Sequence, residues 1–174
     1  MTMKLIETKT LAATTSLIQF TAIPQTFTDL FILTSLRNTT TNAGWATAEI
    51  RPNGNTTNIS ARVLYGFGST VGSITDTAVY HQLTEGGITA NTFSNSSVYI
   101  PNYSGATAKS ISVDTSTEGN QTNTLNAISA NLWNSTAAIT SLDFVPIAAG
   151  IFAIGSTISL YGITKGTDGI VVVS

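Results

Sequence analysis

The stretch "KSISVDTST", Lys109–Thr117, decides how this chain folds. Ile111 and Val113 share one face, and serine or aspartate fills the positions between and beside them. That period of two belongs to a half-buried β-strand, whereas a helix would repeat its apolar groups every three to four residues. The polar run "EGNQTN" then reads as a loop. "LNAISANLW", Leu125–Trp133, fits a strand or a short helix, and strand is the preferred reading beside such a neighbour.

The same signature recurs outward in both directions, at intervals of about 10–15 residues with Gly, Asn, Ser and Thr clusters between. "KLIETKTLA" (Lys4–Ala12) opens the chain. "SLIQFTAI" (Ser16–Ile23) places Ile18, Phe20 and Ala22 on one face, and Pro24 closes it because proline cannot donate to a ladder. "LFILTSLR" (Leu30–Arg37) is a continuous apolar run, as in a strand buried on both faces or central in a sandwich. "WATAEIRPNGNTTNISARVLYGF" (Trp45–Phe67) reads as a hairpin about Pro52-Asn53-Gly54-Asn55, residues suited to a turn with positive φ. Its arms align Ala46, Ala48 and Ile50, then Ile59, Ala61, Val63 and Tyr65. From Gly66 to Gly87 the pattern loosens, with a short strand at "TAVYHQL". Further strands are expected near Val98–Pro101, in "AITSLDFVPI" and in "STISLYGI" (Ser156–Ile163).

About nine to eleven strands and no convincing helix predict an all-β chain, an antiparallel two-sheet sandwich of jelly-roll type. One domain over residues 1–164 is expected, with 165–174 as a C-terminal extension. That extension carries "GIVVVS", and Ile170, Val171, Val172 and Val173 are four consecutive apolar β-formers. Exposed at a terminus they are an aggregation hazard, so either they pair inside their own sheet or they are donated to a neighbour as an inter-subunit strand, which makes them the interface candidates.

Composition narrows the function. Charged residues are 9% of the chain, against about 25% in an average soluble protein. Hydrophobic residues are 42% and the formal charge is −2. Chains rich in β-branched residues and poor in net charge fold, and a surface with so little charge favours association. Seven Lys and Arg, scattered, are too few for a nucleic-acid stripe. No apolar window is long enough for a helical membrane span. There is no cysteine, which excludes thiol catalysis and thiolate metal sites.

Catalytic motifs are equally sparse. His81 is the only histidine, no G-x-S-x-G elbow accompanies it, and a histidine zinc site needs more ligands than one. The nine carboxylates stand singly, and two could converge in three dimensions, for instance Asp114 with Asp143 from neighbouring strands. "GFGSTVG" (Gly66–Gly72) lacks the lysine and following helix of a phosphate loop and reads as a hairpin loop. Trp45, Trp133, Tyr99 and Tyr103 are candidates for stacking on sugar rings, with core or contact roles as the alternative. No enzyme, cofactor or metal is expected.

Four stretches carry a resemblance. "FTAIPQTFTDLFILTSLR" (Phe20–Arg37), "VYIPNYSG" (Val98–Gly105), "LWNSTAAITSL" (Leu132–Leu142) and "STISLYGI" occur in the order found in a group of small structural proteins of tailed bacteriophages, common in marine and cyanobacterial phages. The likeness spans roughly Leu5 to Ile163, and residues 165–174 lie beyond it. The group brings no catalytic residues. The resemblance implies a β-rich subunit on the exterior of a phage particle. Within that, a capsid decoration (cement) protein is the expected role: a homo-oligomer, a trimer for instance, bound to the major capsid protein or other virion proteins. A tail, collar or fibre component that binds host glycan is the alternative.

Overall fold

A computed structural model describes residues 2–41, 45–122, 124–148 and 150–165. These residues form twelve strands and no helix. In chain order they are β1 (Thr2–Thr10), β2 (Ile18–Phe20), β3 (Asp29–Leu36), β4 (Trp45–Pro52), β5 (Ile59–Phe67), β6 (Thr70–Asp76), β7 (Val79–Thr84), β8 (Ser94–Pro101), β9 (Lys109–Thr117), β10 (Leu125–Trp133), β11 (Leu142–Pro146) and β12 (Thr157–Thr164).

Two antiparallel sheets pack face to face. The larger has the order β1-β12-β3-β8-β9-β10-β5-β6, the smaller β2-β11-β4-β7. Set aside the hairpins β5–β6 and β9–β10 and renumber the other strands one to eight. The sheets then read 1-8-3-6 and 2-7-4-5, the order of an eight-stranded jelly roll. The two hairpins lie side by side and extend one sheet only. The fold is therefore the expected jelly-roll sandwich with four additional strands on one sheet.

The core lies between the sheets. Leu30, Ile32, Val98, Ile100, Ile111 and Leu160 project from the larger sheet, and Phe20, Ile50, Leu83, Leu142 and Phe144 from the smaller. Phe20 meets Phe144 edge-on, with centroids 6.2 Å apart. Such aromatic pairs add about 0.5–1.5 kcal/mol to the stabilisation from burial.

Several local expectations change. The segment Trp45–Phe67 is not a hairpin, because β4 pairs with β11 and β7 whereas β5 pairs with β10 and β6. The turn is real: Asn53 and Gly54 have φ of +50° and +71°. It carries the chain from one sheet to the other, an option that turn residues alone do not distinguish from a hairpin. Asn53 anchors it, donating from Nδ2 to Ala138 O and accepting at Oδ1 from the Thr140 and Ser141 amides.

In "SLIQFTAI" only Ile18–Phe20 form a strand, because Ala22 has φ +52° and breaks the alternation. Ile23 takes the buried position that Ala22 was expected to fill. β3 is central but not covered on both faces: Leu33 is exposed and Phe31 half-buried on the outer side. β6 is a strand that the loose pattern from Gly66 onward did not indicate. "LNAISANLW" is strand β10 throughout, and "KSISVDTST" is β9.

Candidate functional site

The smaller sheet has half as many strands as the larger and cannot cover it. β7, its margin, lies over β9 and reaches β10 and β5 only at the fringe. β10, β5 and β6 therefore extend beyond it as a wing: β6 is uncovered on both faces, whereas β5 and β10 keep a buried inner face at Ile59, Ala61, Val63, Leu125, Ala127 and Trp133 and leave Tyr65 and Phe67 half covered. Strand alternation places Val63, Tyr65 and Phe67 on the inner face with Leu125 and Ala127 beside them. These form a small apolar cluster of their own, separate from the main core. Between this cluster and the edge of β7 runs a groove of ≈ 260 Å³, bounded by Ile74 and Gln82.

The outer face is apolar at its centre as well. Leu64 is 58% exposed, Ile128 55% and Val71 85%. Leu64 and Ile128 are direct cross-strand partners. Two shallow depressions of ≈ 750 and ≈ 400 Å³ meet at Leu64, Asp114 and Ile128. A contiguous exposed apolar surface on a folded chain marks a contact site for another molecule. On the three wing strands the charged side chains are Arg62 and Asp76, and Asp114 of β9 stands opposite Ile128 where the depressions meet, so a partner docking here would have to pair or leave hydrated that carboxylate.

β6 was missed in the sequence because a strand with no buried face carries no period-two pattern. Val71 faces one side and Ile74 the other, and the glycine between them hides both. A turn signal was present: Gly68, at φ +55°, and Ser69 form the two-residue connection between β5 and β6. "GFGSTVG" is thus the end of one strand, a tight turn and the start of the next, with no helix after it.

The structure disperses the residues singled out for chemistry. His81 is fully buried, its ring edge-on to Phe144 with centroids 5.7 Å apart. Neither ring nitrogen has a hydrogen-bond partner. Burial alone pushes its pKa down to about 3, so at neutral pH the ring is an uncharged core group. Asp114 and Asp143 do not converge. Asp114 stands on the outer face of the larger sheet, Asp143 on the outer face of the smaller one, where it accepts from Gln19 Nε2 at 2.7 Å. The sandwich lies between them. Among the described residues no cluster of three His, Asp or Glu side chains could hold a metal ion.

Of the aromatic candidates, Trp133 and Tyr103 are buried. Tyr103 donates its hydroxyl to Pro24 O and ties the loop after β8 to that before β3. Tyr99 is half-buried on the outer face, its hydroxyl donating to Asp29 Oδ2 at 2.9 Å. It ends a cross-strand row, Tyr161–Phe31–Tyr99, on three adjacent strands. The Trp45 side chain and the interface candidates Ile170, Val171, Val172 and Val173 lie outside the described residues.

Two buried cations also escaped sequence reasoning. Arg37 donates from Nη1 and Nη2 to carbonyls of Gly86, Ile88, Thr89 and Thr92, at 2.7–3.1 Å, and so fixes the loop between β7 and β8. Lys109 donates from Nζ to the carbonyls of Gly105 and Thr107. Desolvation lowers the pKa of both. Their partners are backbone carbonyls, which no spacing in the sequence announces. Both cations hold loops in place, away from the wing surface. No protein-family model matches this chain, and neither a curated protein nor a solved structure matches it.

Proposed function

We propose that the chain is a bacteriophage virion structural protein, a decoration (cement) subunit on the head surface that contacts the major capsid protein and other copies of itself. The observation that carries this reading is the uncovered wing. A rigid sandwich that presents apolar groups on two faces of a projecting sheet is suited to docking on protein, not to turning over a substrate. The resemblance of four stretches to phage structural proteins supplies the context. Jelly rolls recur in capsid proteins and in lectins alike, so the fold is compatible with the reading without selecting it. The test uses particles made without this protein. Heads should retain their other components and lose integrity at a lower temperature, and a map of the complete particle should place the chain outside the shell. Heads that lack this protein and keep the heat stability of complete ones would overturn the proposal.

A tail, collar or fibre role with glycan binding is the second reading. The half-buried row Tyr161–Phe31–Tyr99 favours it, because aromatic faces in line on one sheet suit stacked sugar rings. Binding on a glycan array that disappears with Tyr161→Ala and Phe31→Ala would establish it. No binding by the intact chain would remove it.

A further inference from the structure

A sheet margin is a template for a foreign strand, and folded proteins guard it. Three of the four margins here carry a guard. At β1 the register slips between Leu5 and Glu7, and beyond the slip Glu7 and Lys9 sit opposite the buried Leu160 and Ile158. The two charges pair at 2.6 Å, and Lys9 Nζ lies 5.4 Å from the centroid of the Phe20 ring. Inward charges and a bulge obstruct an added strand. β2 is three residues long. At β7 the outward amide of Gln82 already donates to Thr115 Oγ1, at 3.2 Å, from the opposite sheet.

β6 has no such guard. Its register with β5 is unbroken from Ala61↔Asp76 to Phe67↔Thr70. It holds no proline or lysine, and its one charge, Asp76, is at its end. The tight turn at Gly68-Ser69 sets the antiparallel alternation, so Thr70, Gly72 and Ile74 bond towards β5. Val71, Ser73 and Thr75 present their amides and carbonyls outward.

We propose that this margin accepts Gly169–Ser174, "GIVVVS", of a second copy as an added strand. The inference rests on reading the chain as an oligomeric structural subunit, and it names the surface through which copies join. In a strand, Ile170–Val173 would direct two apolar side chains to each face. Such a strand needs apolar cover on both faces, and the unguarded margin of β6 offers it. On the inner side are Ile74, Tyr65, Phe67 and the ≈ 260 Å³ groove. On the outer side are Val71 and Leu64. The segment Gly169–Ser174 carries no charged side chain, so none of its side chains meets a like charge at this margin.

Reach excludes the donor's own margin. Lys165, whose amide lies 3.3 Å from Thr28 Oγ1, follows β12. A strand outside β6 is seven spacings from β12 in the sheet order, about 34 Å along the sheet. The row Ser73–Leu64–Ile128–Asp114–Ser97–Leu33–Ser159 sets the centre of β6 level with Ser159. That is a further six residues from Lys165, about 20 Å of strand. Val173, eight residues past Lys165, extends at most about 29 Å. Donation therefore runs from one copy to the next. This is a head-to-tail contact, which closes into a ring where the rotation permits.

Complementation tests this directly. Three variants of the full chain are compared with wild type by light scattering: deletion of residues 169–174, Ser73→Pro and Val71→Lys. Ser73→Pro removes an outward amide and leaves the bonds to β5 in place. Val71→Lys places a guard on the margin, in case the proline perturbs folding. Wild type should self-associate, and each variant should do so at least about tenfold more weakly while keeping its melting temperature. The deletion variant keeps an intact margin, and Ser73→Pro keeps an intact donor. Mixed, they should form a 1:1 dimer that neither forms alone. A mixture that stays monomeric overturns the proposal. So does a deletion variant that associates like wild type; if Ser73→Pro then abolishes association, β6 pairs with β6 of the second copy. A monomeric wild type also overturns it but leaves the virion reading standing, as decoration by single subunits. Conversely, particles indifferent to loss of this protein would remove the virion reading without touching the complementation result.

Discussion

β8 and β5 lie in the same sheet and end very differently. In β8 the inward positions are Ser94, Ser96, Val98 and Ile100, all buried. In β5 they include Val63, Tyr65 and Phe67, of which the two aromatics are only half covered. The less apolar strand is the better buried. Position beneath the smaller sheet decides this, not side-chain hydrophobicity. β8 can hold serines there because partners exist: Ser94 donates to Leu36 O and Ser96 shares a hydrogen bond with Thr115. On the wing, Tyr65 and Phe67 are half covered, and Leu64, Val71, Ile74 and Ile128 have no cover. That mismatch separates a region complete in itself from one that is finished by another surface.

The difference should appear most strongly on removing core volume. Phe144 is fully buried and touches both Phe20 and His81 through ring edges. Phe144→Ala should cost about 3–5 kcal/mol, read from denaturant midpoints at constant slope. A cost below about 1 kcal/mol would mean that the sandwich is no better packed than the wing, and the contrast would fail.

The polar interior gives a pH signature that the wing lacks. The His81 pKa is depressed to about 3 in the folded chain, against about 6.5 when unfolded. Between those values the unfolded chain binds more protons, so stability falls as pH drops from 6.5 towards 3. The loss from this group should be about 2 kcal/mol at pH 5. His81→Leu should remove that component, which urea titrations at pH 7 and pH 5 would reveal. An unchanged pH slope in the variant would show that the ring finds a partner for its proton. A smaller effect, about 1–2 kcal/mol, is expected for Asn53→Ala, which deletes four hydrogen bonds and puts alanine at φ +50°. Asn53→Gly, free of the φ penalty, should recover part of it.

What the sequence conveyed follows the same divide. Strands with one covered face were read nearly to the residue, β9 and β10 above all, because burial imposes alternation on them. β6 was not read, since nothing covers it and nothing selects a period of two. The pairing of β4 was misread for another reason. Asn53-Gly54 reports that the chain reverses, and only the partners β11 and β7, distant in sequence, determine which sheet each arm joins. The candidate surface was out of reach for a related cause. It exists because two inserted hairpins lengthen one sheet and not the other, a property of strand order that no single stretch contains.

The smallest effect on stability should come from the wing itself. Leu64→Ser together with Ile128→Ser removes the apolar centre of the outer face, where both residues are more than half exposed. Exposed positions without special partners change stability by about 0.5 kcal/mol or less, so the melting temperature of the isolated chain should hardly move. Binding to heads stripped of this protein should weaken by contrast, because the same side chains would then be desolvated against a partner. A double variant that melts far lower would show that Leu64 and Ile128 hold the wing together, and the wing would then belong with the core. A variant that melts normally and binds heads as wild type would move the docking surface to the inner groove at Tyr65 and Phe67. Either result redraws the boundary between the part of the fold that stabilises itself and the part built for a partner.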